Sequence, residues 1–136
     1  MHNGLVVDTI EANVFNYLDD AVAHKEKFDV VILDPPAFAK KRSHLEKAEK
    51  GYYDINMKAL ELVKDDGYLV TSSCSHYLSL EKMLEILGDA ARKCEKTLHM
   101  VKFSLQRGDH PVLIGSDETL YLKFLILRVN GFREGI

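Results

Sequence analysis

The sequence predicts an α/β fold made by a single structural unit, and three observations support this. The predicted strand at residues 28–33 contains the unbroken apolar run Val30-Val31-Ile32-Leu33, which is typical of a strand covered by helices on both faces. Segments whose apolar residues have helical spacing alternate with such runs along the chain. The 136 residues contain no linker, repeat or low-complexity segment, and 46% of them are hydrophobic, enough to build one core.

The first elements are a strand over residues 6–14 and a short helix over residues 15–22, where the apolar residues fit a helical face. The next strand covers residues 28–33. It ends at Pro35 and Pro36, because proline fixes φ and has no backbone N–H to donate to a neighbouring strand. The chain therefore begins with a strand, a helix and a second strand.

A helix over residues 51–64 follows, and Asp65-Asp66-Gly67 is expected to turn the chain back. Residues 67–73 form the third strand. Ser79 is a candidate N-cap for a helix over residues 80–93, where apolar residues recur at helical spacing.

Two strands end the chain. The fourth strand covers residues 97–106, and a long loop with Gly, Asp, His and Pro connects it to an almost wholly apolar strand over residues 120–129. This pair is expected to form a hairpin-like return, so the complete order is β-α-β-α-β-α-β-β.

Composition excludes several classes of protein. The formal net charge of −3 argues against binding nucleic acid through overall charge, although Lys40-Lys41-Arg42 is a local cationic segment. The two cysteines, Cys74 and Cys94, give neither a disulfide framework nor zinc-ligand spacing, so no metal is expected. No signal peptide and no membrane-spanning apolar stretch is evident, which predicts a cytoplasmic protein with no membrane partner.

Two strand ends carry an acid and a thiol. Asp34 follows the strand at residues 28–33, and Cys74 follows the strand at residues 67–73. If these strands are parallel neighbours, both side chains face one crevice at the carboxyl edge of the sheet. Asp34 could bond the edge of a base, or the Asp-Pro-Pro sequence could simply end a buried strand. Cys74 could be a nucleophile, or a small buried apolar residue.

Other candidates are open to two interpretations each. Asn13 could contact the edge of an adenine ring, or it could be a turn residue. His110 could be an acid or base, or it could order its loop. Tyr52 and Tyr53 could stack on a base, although aromatic residues at such a position more often pack in the core.

Three separated motifs, at residues 28–39, 67–75 and 109–113, together resemble one family. They are similar to the S-adenosylmethionine-dependent 23S rRNA cytosine carbon-5 methyltransferases of the large-subunit class, whose full chains begin with a PUA domain. The resemblance implies a Rossmann-like class I methyltransferase fold, with a seven-stranded mixed sheet and an antiparallel last strand at residues 120–129. Because no glycine-rich cofactor turn occurs, residues 1–136 are expected to be the C-terminal part of that domain, without a PUA domain.

The resemblance also implies roles for residues near the two strand ends. The catalytic residues would be Cys74, as the nucleophile, and Asp34. The residues contacting the cofactor would be Asn13, Asp34 and Pro35. The residues contacting the RNA substrate would be Pro36, Phe38 and Lys40.

The chemistry implied by this resemblance begins with addition of the Cys74 thiolate to carbon-6 of cytosine, which makes carbon-5 nucleophilic. Asp34 would hold the ring edge and stabilise developing charge. Other cytosine carbon-5 enzymes have a second cysteine in the Asp-Pro motif, whereas this chain has Pro36-Ala37 there. The base that removes the carbon-5 proton is therefore unassigned.

Two alternatives remain open. An amino-group methyltransferase acting on guanine or adenine would use Asp34-Pro35-Pro36 to polarise the amine, and Cys74 would be idle. A non-catalytic association module would bind a protein or RNA partner without turnover. With early strands absent, the strand bearing Asp34 would have an open edge, which predicts a homodimer.

Overall fold

The computed structural model describes residues 3–39, 41–116 and 121–132, and the description below concerns these residues. The helices are α1 (Val14–Ala23), α2 (Leu45–Leu62) and α3 (Leu80–Lys93), with a 3-10 turn at Arg42–His44 before α2. The strands are β1 (Phe28–Leu33), β2 (Val63–Ser73), β3 (Lys96–Ser104) and β4 (Lys123–Gly131).

The four strands form one mixed sheet in the order β1-β2-β4-β3. β1 and β2 are parallel neighbours, and β4 pairs antiparallel with both β2 and β3. The α/β class, the antiparallel last strand and its hairpin-like pairing with the preceding strand are all confirmed. β4 lies inside the sheet, so β1 and β3 are the edge strands.

The described helices cover one face of the sheet. Alternate residues of the central strands are buried, among them Leu69, Leu127 and Val129, whereas Val30 and Ile32 on the opposite side of β1 are 50% and 69% exposed. The expectation that helices cover both faces is therefore wrong for the described residues. The apolar run predicted a strand correctly, but it did not predict that the described helices leave one face of β1 uncovered.

The predicted strand at residues 6–14 is absent. Residues 5–13 have no regular secondary structure, and α1 begins at Val14 with Asn13 as its N-cap. A strand needs a neighbour for its backbone hydrogen bonds, and the described sheet offers no strand beside this segment. The predicted short helix is confirmed as α1.

The remaining elements differ from prediction at their ends. α2 begins at Leu45 and not near residue 51, because Leu45 and Ala48 extend its packed face by two turns. β2 begins at Val63, so Asp65-Asp66-Gly67 is an irregularity within a strand. The bounds of β1 and α3 match the predictions, and Ser79 caps α3 by accepting a hydrogen bond from the Lys82 amide at 3.1 Å.

The last two strands also shift slightly. β3 covers Lys96–Ser104 instead of residues 97–106, and β4 covers Lys123–Gly131 instead of residues 120–129. Residue 120 lies outside the described residues. Among the residues that the structure describes, no helix is both long enough and apolar enough to cross a bilayer.

Gly67 occupies a position where the backbone has no room for a side chain. A Cβ there would lie 2.7 Å from the Asp29 carbonyl oxygen and 2.8 Å from the Lys64 carbonyl oxygen. We therefore expect Gly67→Ala to lower the free energy of unfolding by about 1–3 kcal/mol, the usual cost of overpacking. Urea denaturation followed by circular dichroism measures this change.

The matched control is Gly88→Ala in α3, where the new Cβ would meet only the Arg92 side chain at 3.6 Å. Because alanine is the better helix former, this variant should gain about 0.5–1 kcal/mol. Equal effects of the two substitutions would contradict the close approach at Gly67.

Candidate active site

Asp34 and Cys74 follow neighbouring parallel strands at the same edge of the sheet, as the sequence predicts. The last aligned pair of β1 and β2 is Leu33 with Thr71, so Asp34 lies beside Ser72. The Ser72 hydroxyl is 3.3 Å from Asp34 Oδ1 and also 3.3 Å from the Leu33 carbonyl oxygen. The side chains of Asp34 and Cys74 are exposed.

The end of β2 alternates between two environments. Thr71 and Ser73 point to the helix-covered face, where the Thr71 hydroxyl donates to Asn56 Oδ1 at 2.8 Å. Ser72 points the other way, toward Asp34. Beyond the end of the strand, Cys74 is exposed and Ser75 is buried.

Buried hydroxyls fix the turn that carries Cys74. The Ser73 hydroxyl donates to Tyr52 Oη at 3.1 Å and accepts from the Ser75 amide at 3.3 Å. The Ser75 hydroxyl donates to the Ala39 carbonyl oxygen at 3.1 Å, which ties the turn to the loop after Asp34. The two strand ends are thus held together by side-chain bonds as well as by strand pairing.

Tyr52 lies under this turn and is 1% exposed. Burial raises the pKa of its phenol above the ordinary value, hydrogen bonds with Ser73 and the Phe38 backbone oppose this, and the charge of Cys74 adds to the rise. Tyr52 therefore stays a neutral hydrogen-bonding group at physiological pH. The packing interpretation of Tyr52 is the one its environment supports.

The loop after Asp34 presents its residues unequally. Pro35 is buried and Pro36 is exposed. The ring of Phe38 packs edge-on against Tyr52, with ring centroids 4.8 Å apart, and lies 6.2 Å from the Phe15 ring centroid. A substrate contact by Phe38 stays a prediction, since these contacts give it a packing role. Lys40 lies outside the described residues.

Asn13 has a structural role at the start of α1. Its side-chain oxygen accepts a hydrogen bond from the Asn16 amide at 3.2 Å, which is the N-cap interaction. The side chain is exposed, so its amide nitrogen can still donate to a ligand. Both interpretations of Asn13 are therefore compatible, and contact with the cofactor stays a prediction.

The other cysteine has a different environment. Cys94 caps the end of α3 and is half-buried, with Sγ 3.4 Å from the Met57 carbonyl oxygen. Burial and the nearby Glu61 raise the pKa of its thiol to about 11.

His110 is exposed, and its Nε2 atom lies 4.0 Å from the Asp109 carboxylate.

Two cavities lie away from the strand ends. One of about 820 Å³ separates α3 from β3, and one of about 380 Å³ lies beside Phe38 and the start of α2. Neither is lined by Asp34 or Cys74. In the described parts of the chain, no cluster of three or more His, Cys, Asp or Glu side chains could hold a metal ion.

Sequence reasoning missed most of the residues that support the site. The roles of Ser72 and Ser73 are recognisable only once β2 is paired with β1 and covered by α2. Tyr52 was a candidate in the sequence, but only the structure shows its bond to Ser73. Lys123 is also missed, although a lysine in a strand that is otherwise almost wholly apolar is a signal in the sequence. It is buried beside the Cys74 turn.

The chain is similar to curated proteins over most of its length, whereas no family model matches it. Over 120 residues, it is 38% identical to proteins named ribosomal RNA large subunit methyltransferase I from Yersinia pestis bv. Antiqua (strain Angola) and Yersinia pseudotuberculosis serotype O:3 (strain YPIII). Each match covers 88% of this chain and 30% of the relative, so the chain spans about 30% of the length of these relatives. The predicted resemblance is supported at the level of ribosomal RNA large-subunit methyltransferases.

Solved structures give the fold. The chain superposes with TM-score 0.70 on SMU.776, a candidate methyltransferase complexed with SAH, at 21% identity, covering 86% of this chain and 30% of the other. A candidate SAM-dependent methyltransferase from Streptococcus mutans gives 0.69 at 20% identity, with 86% and 29% covered. A methyltransferase homologue from Pyrococcus horikoshii gives 0.53 at 20% identity, with 82% and 43% covered. The described sheet and helices are part of a Rossmann-like methyltransferase fold.

The buried hydroxyl bond between Tyr52 and Ser73 should contribute measurably to stability. Tyr52→Phe leaves the Ser73 hydroxyl without its buried acceptor, so we expect a loss of about 1–2 kcal/mol in the free energy of unfolding. Tyr53→Phe is the matched control, because the neighbouring tyrosine is only half-buried, and its loss should be close to zero. Urea unfolding of the two variants measures these changes. Equal losses in the free energy of unfolding would show that the bond between the Tyr52 and Ser73 hydroxyls contributes nothing.

Proposed function

We propose that this chain forms part of the active site of an S-adenosylmethionine-dependent methyltransferase that acts on 23S rRNA, at carbon-5 of a cytosine, through a covalent adduct at Cys74. The observation that carries the proposal is the placement of an exposed thiol and an exposed carboxylate after adjacent parallel strands. The similarity to ribosomal RNA large-subunit methyltransferases supports the class of substrate. A cysteine nucleophile is needed for methylation at carbon-5 and has no role in methylation of an amino group.

The residues present fit the proposed cofactor. Asn13 has an exposed amide that can donate to an adenine ring nitrogen while its oxygen caps α1. Asp34 is exposed and hydrogen-bonded by Ser72, whereas Pro35 is buried and its contact with the cofactor stays a prediction. When bound, S-adenosylmethionine supplies an electrophilic methyl group.

The Cys74 thiolate would make carbon-5 of cytosine nucleophilic. Carbon-5 of cytosine is a weak nucleophile, so the Cys74 sulfur first forms a bond to carbon-6. The electron pair of the carbon-5 to carbon-6 double bond then becomes available at carbon-5, which takes the methyl group. Asp34 holds the ring edge: one carboxyl oxygen accepts a hydrogen bond from the exocyclic amine, and the other, when it carries a proton, donates it to nitrogen-3 as negative charge develops there.

Release of Cys74 completes the reaction. A base removes the proton from carbon-5, the double bond forms again, and the bond between carbon-6 and sulfur breaks to return the thiolate. The segment Pro36-Ala37 has no thiol for this step. Water at the exposed strand ends can accept the proton.

RNA would approach across the loop after Asp34. Pro36 is exposed beside the carboxylate, and Lys41 and Arg42 are exposed further along the loop. These cations would contact phosphates locally, in a chain whose net charge of −3 does not favour RNA overall. Lys40 is part of the same cationic segment, and its contact with the substrate stays a prediction.

An amino-group methyltransferase is the second candidate. The hydrogen bond from Ser72 to Asp34 and the rigid prolines suit a carboxylate that accepts from an exocyclic amine, and this function leaves Cys74 without a role. The two candidates share the fold and the cofactor, and they differ in whether Cys74 becomes bonded to the substrate.

RNA containing 5-fluorocytidine tests the adduct directly. Fluorine replaces the proton that the base must remove, so after methyl transfer Cys74 cannot leave and a denaturant-stable RNA–protein complex accumulates. We expect this complex with S-adenosylmethionine present, its loss in Cys74→Ala, and its retention in the control Cys94→Ala. Calorimetric titration with S-adenosylmethionine first establishes the cofactor site.

Two results would overturn the proposal in different ways. Methyl transfer that persists in Cys74→Ala would favour the amino-group candidate. Absence of any cofactor binding would favour a non-catalytic association module.

The homodimer predicted from the sequence also remains a proposal. β1 is an edge strand with exposed apolar side chains, which favours pairing with a second copy. Sedimentation should give twice the 15.5 kDa chain mass, and Ile32→Lys should restore the monomer. The control Val101→Lys, on the edge strand β3 where Val101 is 58% exposed, should leave the dimer intact. A monomer before any substitution would contradict this proposal.

A further inference from the structure

Lys123 is a buried lysine next to the Cys74 turn. It begins β4, is aligned with Ser73 of β2, and is 5% exposed. Burial of a lysine is costly, because the ammonium group loses its hydration. A buried lysine at the edge of a proposed active site therefore calls for a compensating interaction.

Its hydrogen bonds join two segments of the chain. Lys123 Nζ donates to the Ser75 carbonyl oxygen at 2.5 Å and to the Tyr121 carbonyl oxygen at 3.3 Å. The first bond holds the residue directly after Cys74. Lys123 thereby fixes the backbone of the turn from the side of β4, whereas Ser73 fixes it from the side of α2.

Among the described residues, no carboxylate forms a salt bridge with Lys123, and the salt bridges there involve other cationic side chains. Burial lowers the pKa of Lys123 from its ordinary value, and attraction to Cys74 opposes this shift. Cys74 is therefore close enough to Lys123 for the charges of the two groups to interact.

We propose that Lys123 is the positioning residue of Cys74, holding the Cys74–Ser75 turn through the Ser75 carbonyl and supplying positive charge to the thiolate. A cysteine acts as a nucleophile only as the thiolate, which a nearby cation stabilises. This inference rests on the proposed function of Cys74. Nζ acts as a hydrogen-bond donor to two carbonyl groups, so its role is electrostatic and structural, without proton abstraction.

Alkylation of Cys74 measures the charge directly. In a Cys94→Ala background, Cys74 is the single cysteine, and its rate of reaction is compared for neutral iodoacetamide and anionic iodoacetate. A positive charge beside the sulfur accelerates the anionic reagent selectively. A purely structural role changes both rates alike and leaves their ratio unchanged.

We expect Lys123→Met to lower the ratio of iodoacetate to iodoacetamide rates by about fivefold, as expected for one charge a few ångströms away in water. Lys123→Arg keeps the charge and should keep the ratio within about twofold. Lys64→Met is the control, because Lys64 is an exposed lysine at the opposite end of β2. An unchanged ratio in Lys123→Met would overturn the proposal.

A second measurement needs no substitution at Lys123 and so does not depend on the folding of that variant. Added salt should slow iodoacetate relative to iodoacetamide, because it screens a local attraction. The net charge of −3 alone would produce the opposite change, since salt would then screen a repulsion. A ratio that rises with salt would overturn the proposal.

These experiments use neither RNA nor cofactor, so they fail independently of the proposed function. A lowered ratio in Lys123→Met together with no 5-fluorocytidine adduct would retain Lys123 as the positioning residue and reject the adduct chemistry. An unchanged ratio with a normal adduct would reject the role of Lys123 alone.

Discussion

The parallel pairing of β1 with β2 is the interaction on which the candidate site depends. Its register, with Leu33 beside Thr71, brings Asp34 next to Ser72 and both strand ends to one edge. Side chains alternate between the faces of a strand, so a shift of one residue would turn Thr71 and Ser73 away from α2. The buried bonds from Thr71 to Asn56 and from Ser73 to Tyr52 therefore stabilise this register over its neighbours.

The helix-covered end of β2 is polar although it is buried. The Asn56 side chain accepts a hydrogen bond from the Thr71 hydroxyl and donates one to the Tyr52 carbonyl oxygen. The Ser73 hydroxyl donates one hydrogen bond and accepts another. Among the described residues, every fully buried side-chain nitrogen or oxygen has a hydrogen-bond partner. A satisfied network of this kind restricts motion more than apolar packing does, because each bond also requires a particular direction. The network therefore holds in place the backbone that carries the exposed Cys74 thiol.

Electrostatics at this edge are local. The net charge of the chain is −3, yet the turn at Cys74 is bordered by the buried ammonium group of Lys123. Interactions between exposed charges are screened by salt within about 10 Å, whereas a buried charge keeps its influence over the groups beside it. The overall charge therefore says little about the environment in which Asp34 and Cys74 act.

The sequence by itself determined the strand at β1, the helix α3 with its Ser79 cap, and the two strand-end residues Asp34 and Cys74. These follow from local signals, namely apolar periodicity, prolines and a capping side chain, which act over a few residues. The predicted strand at residues 6–14 was wrong for the same reason, because strand formation also needs a partner that local sequence does not reveal.

Only the tertiary structure decided which faces are covered and which side chains support the site. Tyr52, Ser73 and Lys123 are far apart in sequence, and they meet around the Cys74 turn only because α2 and β4 both pack against β2. Their contacts depend on strand order, register and helix placement together. Those are properties of the whole chain, and no segment of the sequence specifies them alone.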